Sequence, residues 1–325
     1  MIKKHIFLSV LVILIITVAA PAQEFAPVGT AVAQFLEIGV GARGTAIGDA
    51  YTTLPSDAGA VFWNPAGLTN VTRRNVFTAY NRWPADISIG GVALAMNFGH
   101  LGTVALSTLY LMTGDMDITT VYQPEGTGET FSITNFAAGL SYARTLTDRL
   151  SFGLTAKVVR EKYMEHGYTS WALDIGTLYR TGFRGMTLGM SIMHFGPEIR
   201  FDGQFIDYSD PRSVDRNQSK TFETYSLPMN FRVGLSLNLL DRAVHKVIVA
   251  ADMIHSNNNL EQYNSGVEYS FNQMFFLRGG YKFNLDEGGL TLGAGVNFDP
   301  MCLSYSFANL GILKDVHRVS LALSF

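Results

Sequence analysis

From about residue 74 onward the chain alternates between apolar and polar positions. In MNFRVGLSLNL, residues 229–239, Met229, Phe231, Val233, Leu235, Leu237 and Leu239 interleave with Asn230, Arg232, Gly234, Ser236 and Asn238. LTLGAGVNF, residues 290–298, and FFLRGGYKF, residues 275–283, repeat the texture. A period of two places successive side chains on opposite faces of a strand, one face apolar and one polar. Segments of this kind predict about fourteen strands, near 75–81, 87–98, 102–112, 131–146, 150–161, 168–180, 185–195, 228–239, 243–254, 260–271, 274–284, 288–298, 301–307 and 316–325. Many have the length of a tilted membrane strand, about 9–11 residues.

GVALAMNFGHLGTVALSTLYLM, residues 91–112, is apolar enough to suggest a membrane helix. Gly99 and Gly102 break it at its midpoint and each half alternates, so a β-hairpin is predicted. The alternation flips phase between Ile89 and Val92, which marks Gly90-Gly91 as a candidate bulge.

Connector lengths separate a barrel from a soluble sandwich. GHLG, TDR, TGFR, LLDR, FNQ and FDP are tight, whereas 113–130, 162–167, 197–227, 255–259 and 308–315 are longer and more polar. Short turns alternating with long loops, with an even strand count, describe an outer-membrane barrel with both ends on the periplasmic side. Closure satisfies every backbone polar group in lipid and removes exposed edges. The predicted fold is therefore all-β, a transmembrane outer-membrane β-barrel of about fourteen antiparallel strands. Its last strand, HRVSLALSF, ends on Phe325. A terminal aromatic of this kind resembles the signal read by bacterial barrel-assembly machinery.

Composition agrees. Only 16% of residues are charged, 47% are hydrophobic and 12% aromatic, against about a quarter charged in typical soluble proteins. Residues 1–22 read as a secretory signal peptide. Lys3 and Lys4 precede the apolar run IFLSVLVILIITVAA, and Ala20-Pro21-Ala22 supplies a cleavage site. Removing Lys3 and Lys4 from the 24 basic residues leaves 22 against 27 acidic ones, a net charge of −5. That excludes general nucleic-acid binding. Cys302 is the one cysteine, so no internal disulfide is available.

Residues 39–44, GVGARG, have the glycine spacing of a dinucleotide loop. Their setting does not fit: AVAQFLEI is a mediocre strand, the position about twenty residues on is Asn64, and no βαβ unit follows. Twelve of the 29 positions from Gly39 to Gly67 are instead Gly or Ala, which lets backbone approach backbone. Trp63-Asn64-Pro65-Ala66-Gly67 has turn chemistry, with Pro65 pushing Asn64 toward extended geometry. Residues 23–73 are predicted to form an N-terminal hatch inside a barrel of residues 74–325. Gly41, Arg43, Gly44, Gly48 and Asp57 join the Trp63–Gly67 turn as its motif residues.

The stretch GARGTAIGDAYTTLPSDAGAVFWNPAGL, Gly41 to Leu68, followed by the strand pattern, resembles the PorV/PorQ family of outer-membrane proteins. It is more distantly similar to FadL-type transporters, whose hatch carries a comparable Asn-Pro-Ala turn. The first resemblance implies an accessory barrel of the type IX secretion system, with secreted cargo and secretion or attachment proteins as partners. The second implies a channel for hydrophobic small molecules, in which the hatch shifts and opens a lateral path.

Catalytic and metal motifs are not found in the sequence, and no cofactor is predicted. His194, His245, His255 and His317 read as strand-end or loop residues. Lys157, Asp174, Arg232, Lys246, Asp252, Glu268, Arg278 and Lys282 fall on the polar, lumen-facing side of their strands. Charges there must pair, or meet water or the hatch. The long loop at 197–227 offers Phe201, Phe205, Tyr208, Arg212 and Tyr225, residue types that anchor protein interfaces, as a candidate partner surface.

Overall fold

The computed structural model describes residues 28–206, 219–285 and 288–325. Fourteen antiparallel strands close into one barrel. They are β1 (Arg74–Arg82), β2 (Ser88–Asn97), β3 (Thr103–Met112), β4 (Thr134–Thr145), β5 (Leu150–Tyr163), β6 (His166–Arg180) and β7 (Thr187–Phe195). After the long loop come β8 (Asn230–Asp241), β9 (His245–Ser256), β10 (Gln262–Phe271), β11 (Phe275–Phe283), β12 (Leu290–Phe298), β13 (Met301–Asn309) and β14 (Asp315–Ser324). Each strand pairs with its neighbours in sequence, and β14 returns to β1, from Asn75↔Ser324 to Arg82↔His317. The Phe325 backbone exchanges two hydrogen bonds with Arg74, at 3.0 and 3.1 Å.

The alternation is realised with the usual polarity inverted. Along β8, Asn230 and Ser236 are buried while Phe231, Leu235 and Leu239 are exposed. The outward residues form the apolar surface that lipid requires. The segment 91–112 is the expected hairpin, turning through a short 3-10 helix at Gly99–Leu101.

Two sequence expectations change. The connector at 162–167 is not a loop: β5 and β6 run to Tyr163 and His166, and the turn is Met164-Glu165. These strands extend beyond their neighbours, where water replaces lipid and polar residues no longer mark a strand end. Nor is there a bulge at Gly90-Gly91. Tyr80↔Gly90 and Ala79↔Gly91 continue the β1–β2 register, and Gly90↔Tyr110 continues it to β3. Ile89 is an inward residue buried by the N-terminal segment, so its phase never flipped. The register shifts lie instead at Asn238/Leu240 in β8 and at Leu173/Ile175 between β6 and β7.

Residues 31–71 run through the ring and touch inward-facing side chains on opposite sides of it. At one end Val32 N–H donates to Ser226 O at 3.1 Å, beside the long loop. Farther along, Ala42 N–H donates to Ser320 on β14 and Thr52 N–H to Asp252 on β9. Thr69 then meets Ser151 on β5 before the chain enters β1. The segment contains one five-residue helix, Ala42–Ala46, and three 3-10 turns at Gln34–Glu37, Ala58–Phe62 and Pro65–Asn70. The low helix content follows from its glycine density.

Candidate functional site

The motif residues of the N-terminal segment are packing and hydrogen-bonding devices. Gly41 precedes the short helix with the Phe77 ring against it. Gly44 lies under the rings of Trp63 and Tyr51. Gly48 has φ +68°, and its Cα faces the Tyr281 backbone. A side chain there would be both strained and blocked. Asp57 caps the 3-10 turn that follows it by accepting from Gly59 N–H at 2.9 Å. Burial pushes its carboxyl up, and the Arg43 guanidinium opposes that. Trp63 is 2% exposed and donates Nε1–H to Val40 O at 2.8 Å. Its ring receives the Tyr51 edge at 5.4 Å and the Arg232 guanidinium at 5.5 Å.

Asn64 is fully buried and locks the turn from both ends. Its Nδ2 donates to Thr52 O at 2.9 Å and to Thr177 O on β6 at 3.1 Å, and its Oδ1 accepts from Ala66 N–H at 3.1 Å. Pro65 opens the final 3-10 turn, where its missing N–H is not needed. Gly67 N–H donates to Asn64 O at 2.9 Å. Asn64→Ala strands at least one buried donor and one buried acceptor, each costing about 1–3 kcal/mol. The variant is expected to insert as a barrel and to lose protease resistance in residues 31–71. Unchanged resistance would show that the turn does not hold the segment.

All eight predicted lumen charges face inward, and most serve to fix the segment or the wall. Glu268 receives Arg43 Nη2 at 2.9 Å and Arg278 Nε at 2.7 Å. Lys282 pairs with Asp49 of the segment. Asp252 accepts Thr52 N–H at 2.8 Å, and Arg232 reaches Asn230 and the Trp63 ring. Lys157 pairs with Asp174 at 2.7 Å.

His194 corrects an expectation. It lies at the end of β7, as expected, but is buried rather than interfacial, 2.5 Å from Lys157 Nζ, with its backbone N–H on Asp174 Oδ1 at 2.7 Å. The shift at Leu173/Ile175 places it there with φ +65°. Two further carboxylates escaped sequence reasoning. Glu161 accepts from Ala33 N–H at 2.9 Å, Tyr168 at 2.7 Å, Tyr163 at 3.1 Å and Asn135 at 3.2 Å. It shares the inward phase of Lys157, which was the available signal. Glu37 accepts from Ser256 and Asn258, and burial pushes its carboxyl up against those hydrogen bonds.

The described part of the long loop packs on itself and on the β5–β6 hairpin. Phe201 stacks against Tyr168 at 5.1 Å, Phe222 at 5.8 Å and Tyr163 at 5.9 Å. Phe205 meets Phe222 at 4.9 Å, and Tyr225 pairs with Ile199 in a two-stranded ladder. Tyr208 and Arg212 lie outside the described residues, as does the predicted signal peptide.

Between segment and wall lies a chamber of about 30 Å³. Leu36, Val40, Val61 and Phe62 close it from the segment, while Leu109, Ala137 and Met193 line the wall. Its polar edge is Lys157, Asp174 and His194. Ser107, Gly139 and Lys157 also line an apolar hollow of about 440 Å³ that includes the outward residues Leu106, Leu140, Val158 and Trp171. The two hollows therefore meet across one patch of wall, where Ser107↔Gly139↔Lys157 are in continuous register.

The same barrel occurs in solved structures. The deltaS2S3 mutant of the monoaromatic hydrocarbon channel TodX aligns at TM-score 0.60 and 11% identity, covering 88% of this chain and 99% of that one. A Pseudomonas aeruginosa FadL homologue gives 0.58 and 13%, over 89% and 99%. The Pseudomonas putida toluene transporter TodX gives 0.58 and 11%, over 88% and 97%. The fold is shared with outer-membrane channels. No protein-family model matches the chain, and no curated protein does. These comparisons support the FadL-type resemblance and give none to the PorV/PorQ one.

Proposed function

We propose that this protein is an outer-membrane channel for hydrophobic small molecules, with the N-terminal segment as its hatch. The observation that carries the reading is the chamber. A lumen lined by Asn, Ser, Thr and charged side chains holds one apolar hollow, enclosed by hatch residues and set against the lipid-facing hollow through the wall at Gly139. The proteins of similar fold named above, a monoaromatic hydrocarbon channel and a toluene transporter, accord with it. The short turns face the periplasm, as in other barrels of this kind.

At about 30 Å³ the chamber describes a closed state. A benzene-sized guest needs a cavity of about 150 Å³. Passage therefore requires the hatch to withdraw Leu36, Val40, Val61 and Phe62. The solute then leaves either past the hatch or through the wall beside Gly139, where it stays out of the polar lumen. Ala137→Leu fills the chamber from the wall. It is expected to reduce uptake of a radiolabelled aromatic hydrocarbon several-fold in a Gram-negative host lacking other such channels, at equal surface expression. Uptake equal to that of the parent would remove the chamber from the route.

A further inference from the structure

Three consecutive short turns carry the basic residues of their rim. They run over 146–149 between β4 and β5, 181–186 between β6 and β7, and 242–244 between β8 and β9. With the last two residues of the strand before each, they hold Arg144, Arg149, Arg180, Arg184 and Arg242 against Asp148 and Asp241, five charges against two and a net +3. The other three short turns, at 98–102, 272–274 and 299–300, hold neither Arg nor Lys. The basic turns lie side by side in one arc. Arg180 N–H donates to Arg149 O at 2.8 Å, and Asn238 N–H to Arg184 O at 3.2 Å.

Arg180 is held by Asn70 Oδ1 at 2.6 Å. The other four guanidinium groups are exposed, and among the described residues they make no ion pair and no side-chain hydrogen bond. Arg184 lies over the Phe183 ring at 5.8 Å. Each turn also exposes an apolar side chain, Leu146, Phe183 or Val244. Arg144 fixes the depth of the arc. It continues the outward column of Phe136, Leu140 and Tyr142, one outward step beyond Tyr142, which is about 7 Å along the strand. Outward Tyr142 and Tyr179 are the aromatic girdle, where hydrocarbon gives way to headgroups. The free guanidinium groups therefore stand at headgroup depth.

We propose that this arc binds anionic phospholipid of the periplasmic leaflet. The guanidinium groups take the phosphodiester oxygens in paired hydrogen bonds, and Leu146, Phe183 and Val244 sit among the acyl chains. A zwitterionic phospholipid carries its own ammonium beside the phosphate and leaves the charge of the arc unanswered, whereas an anionic one neutralises it. A water-soluble acidic partner would give the exposed apolar residues nothing to enter. The site lies on the outer face of the barrel. It requires that the short turns face the periplasm and does not depend on the transport reading.

The test reconstitutes the full-length barrel in phosphatidylcholine bilayers with trace spin-labelled lipid and reads, by electron spin resonance, the share of label immobilised on the protein. The probes are phosphatidylglycerol and phosphatidylcholine with identical acyl chains. One ionic contact near a membrane surface favours the anionic lipid about fivefold. The arc spans β4 to β9, six of the fourteen strands, so averaging over the perimeter leaves a preference of about threefold. It should fall toward unity in about 0.5 M NaCl, where screening is short-ranged. Arg144→Gln/Arg149→Gln/Arg184→Gln/Arg242→Gln, confirmed as folded by heat-modifiable migration, should immobilise both probes equally. Arg160→Gln/Lys162→Gln, at exposed positions toward the opposite rim, should keep the preference. Equal immobilisation by the parent, or a preference that survives the four substitutions, would overturn the proposal. So would its loss in Arg160→Gln/Lys162→Gln, or displacement of the lipid by inorganic phosphate at an ionic strength matched with chloride, which would mark a free-phosphate site. None of these results bears on hydrocarbon uptake.

Discussion

Gly280→Val is expected to expel the hatch from the barrel while leaving the barrel closed. A Cβ at Gly280 would stand 2.1 Å from Gly48 N and 2.1 Å from the Ile47 carbonyl carbon. Across the ladder, a Cβ at Gly266 would stand 2.3 Å from Ile47 O. These neighbours are backbone atoms, so no rotamer change relieves the clash. Overpacking a core of side chains costs about 1–3 kcal/mol, and a clash with fixed backbone costs more. The strand ladder itself is unaffected, since Gly280 keeps its partners Gly266 and Thr291. The variant should retain heat-modifiable migration, and protease should cut its N-terminal segment at least tenfold faster. A segment as resistant as the parent's would mean that the close approach of hatch and wall is not what the structure describes.

Glu268→Ala is expected to have the largest effect of any single charge removal. Its carboxylate is 3% exposed and faces two guanidinium groups, Arg43 at 22% and Arg278 at 1%. Removing one partner of a buried ion pair costs about 3–5 kcal/mol, because the remaining charge loses its compensation in a site it cannot leave. Here two cations are left. Arg278 is fixed in the wall, so the cost falls on the hatch, where Arg43 can move out. The hatch should therefore become protease-sensitive, and Glu268→Ala/Arg43→Ala should be less sensitive than Glu268→Ala. A double variant more sensitive than the single one would show that the cluster does not act as a unit.

How much of this was legible in the sequence depends on where parity applies. Lys157, Asp174, Arg232, Lys246, Asp252, Glu268, Arg278 and Lys282 were placed inward by counting, because a strand permits two faces only. Counting failed at Ile89, which is apolar and inward because the N-terminal segment covers it. The rule that apolar residues face lipid presumes a wet lumen. Counting does not reach His194 either, where a register shift carries the end of β7 inward. Leu36, Val40, Val61 and Phe62 lie in a segment too irregular for any period, so the chamber they form could not be read before the fold. Composition marked the long-loop aromatics but could not place their contacts: Phe201 and Phe205 pack on Phe222 of the loop, and Phe201 also on Tyr163 and Tyr168 of the β5–β6 hairpin.

The most direct measurement is hydrocarbon uptake with the hatch locked and released in the same protein. Thr45 Oγ1 of the hatch lies 2.8 Å from Ser306 Oγ on β13. Thr45→Cys/Ser306→Cys, in a Cys302→Ser background, places two thiols at that contact. After oxidation, uptake of radiolabelled toluene is expected to fall to the level of cells without the protein, and reduction is expected to restore it. Undiminished uptake in the cross-linked protein would contradict a channel gated by this hatch, and absence of uptake in both states would contradict a hydrophobic channel altogether.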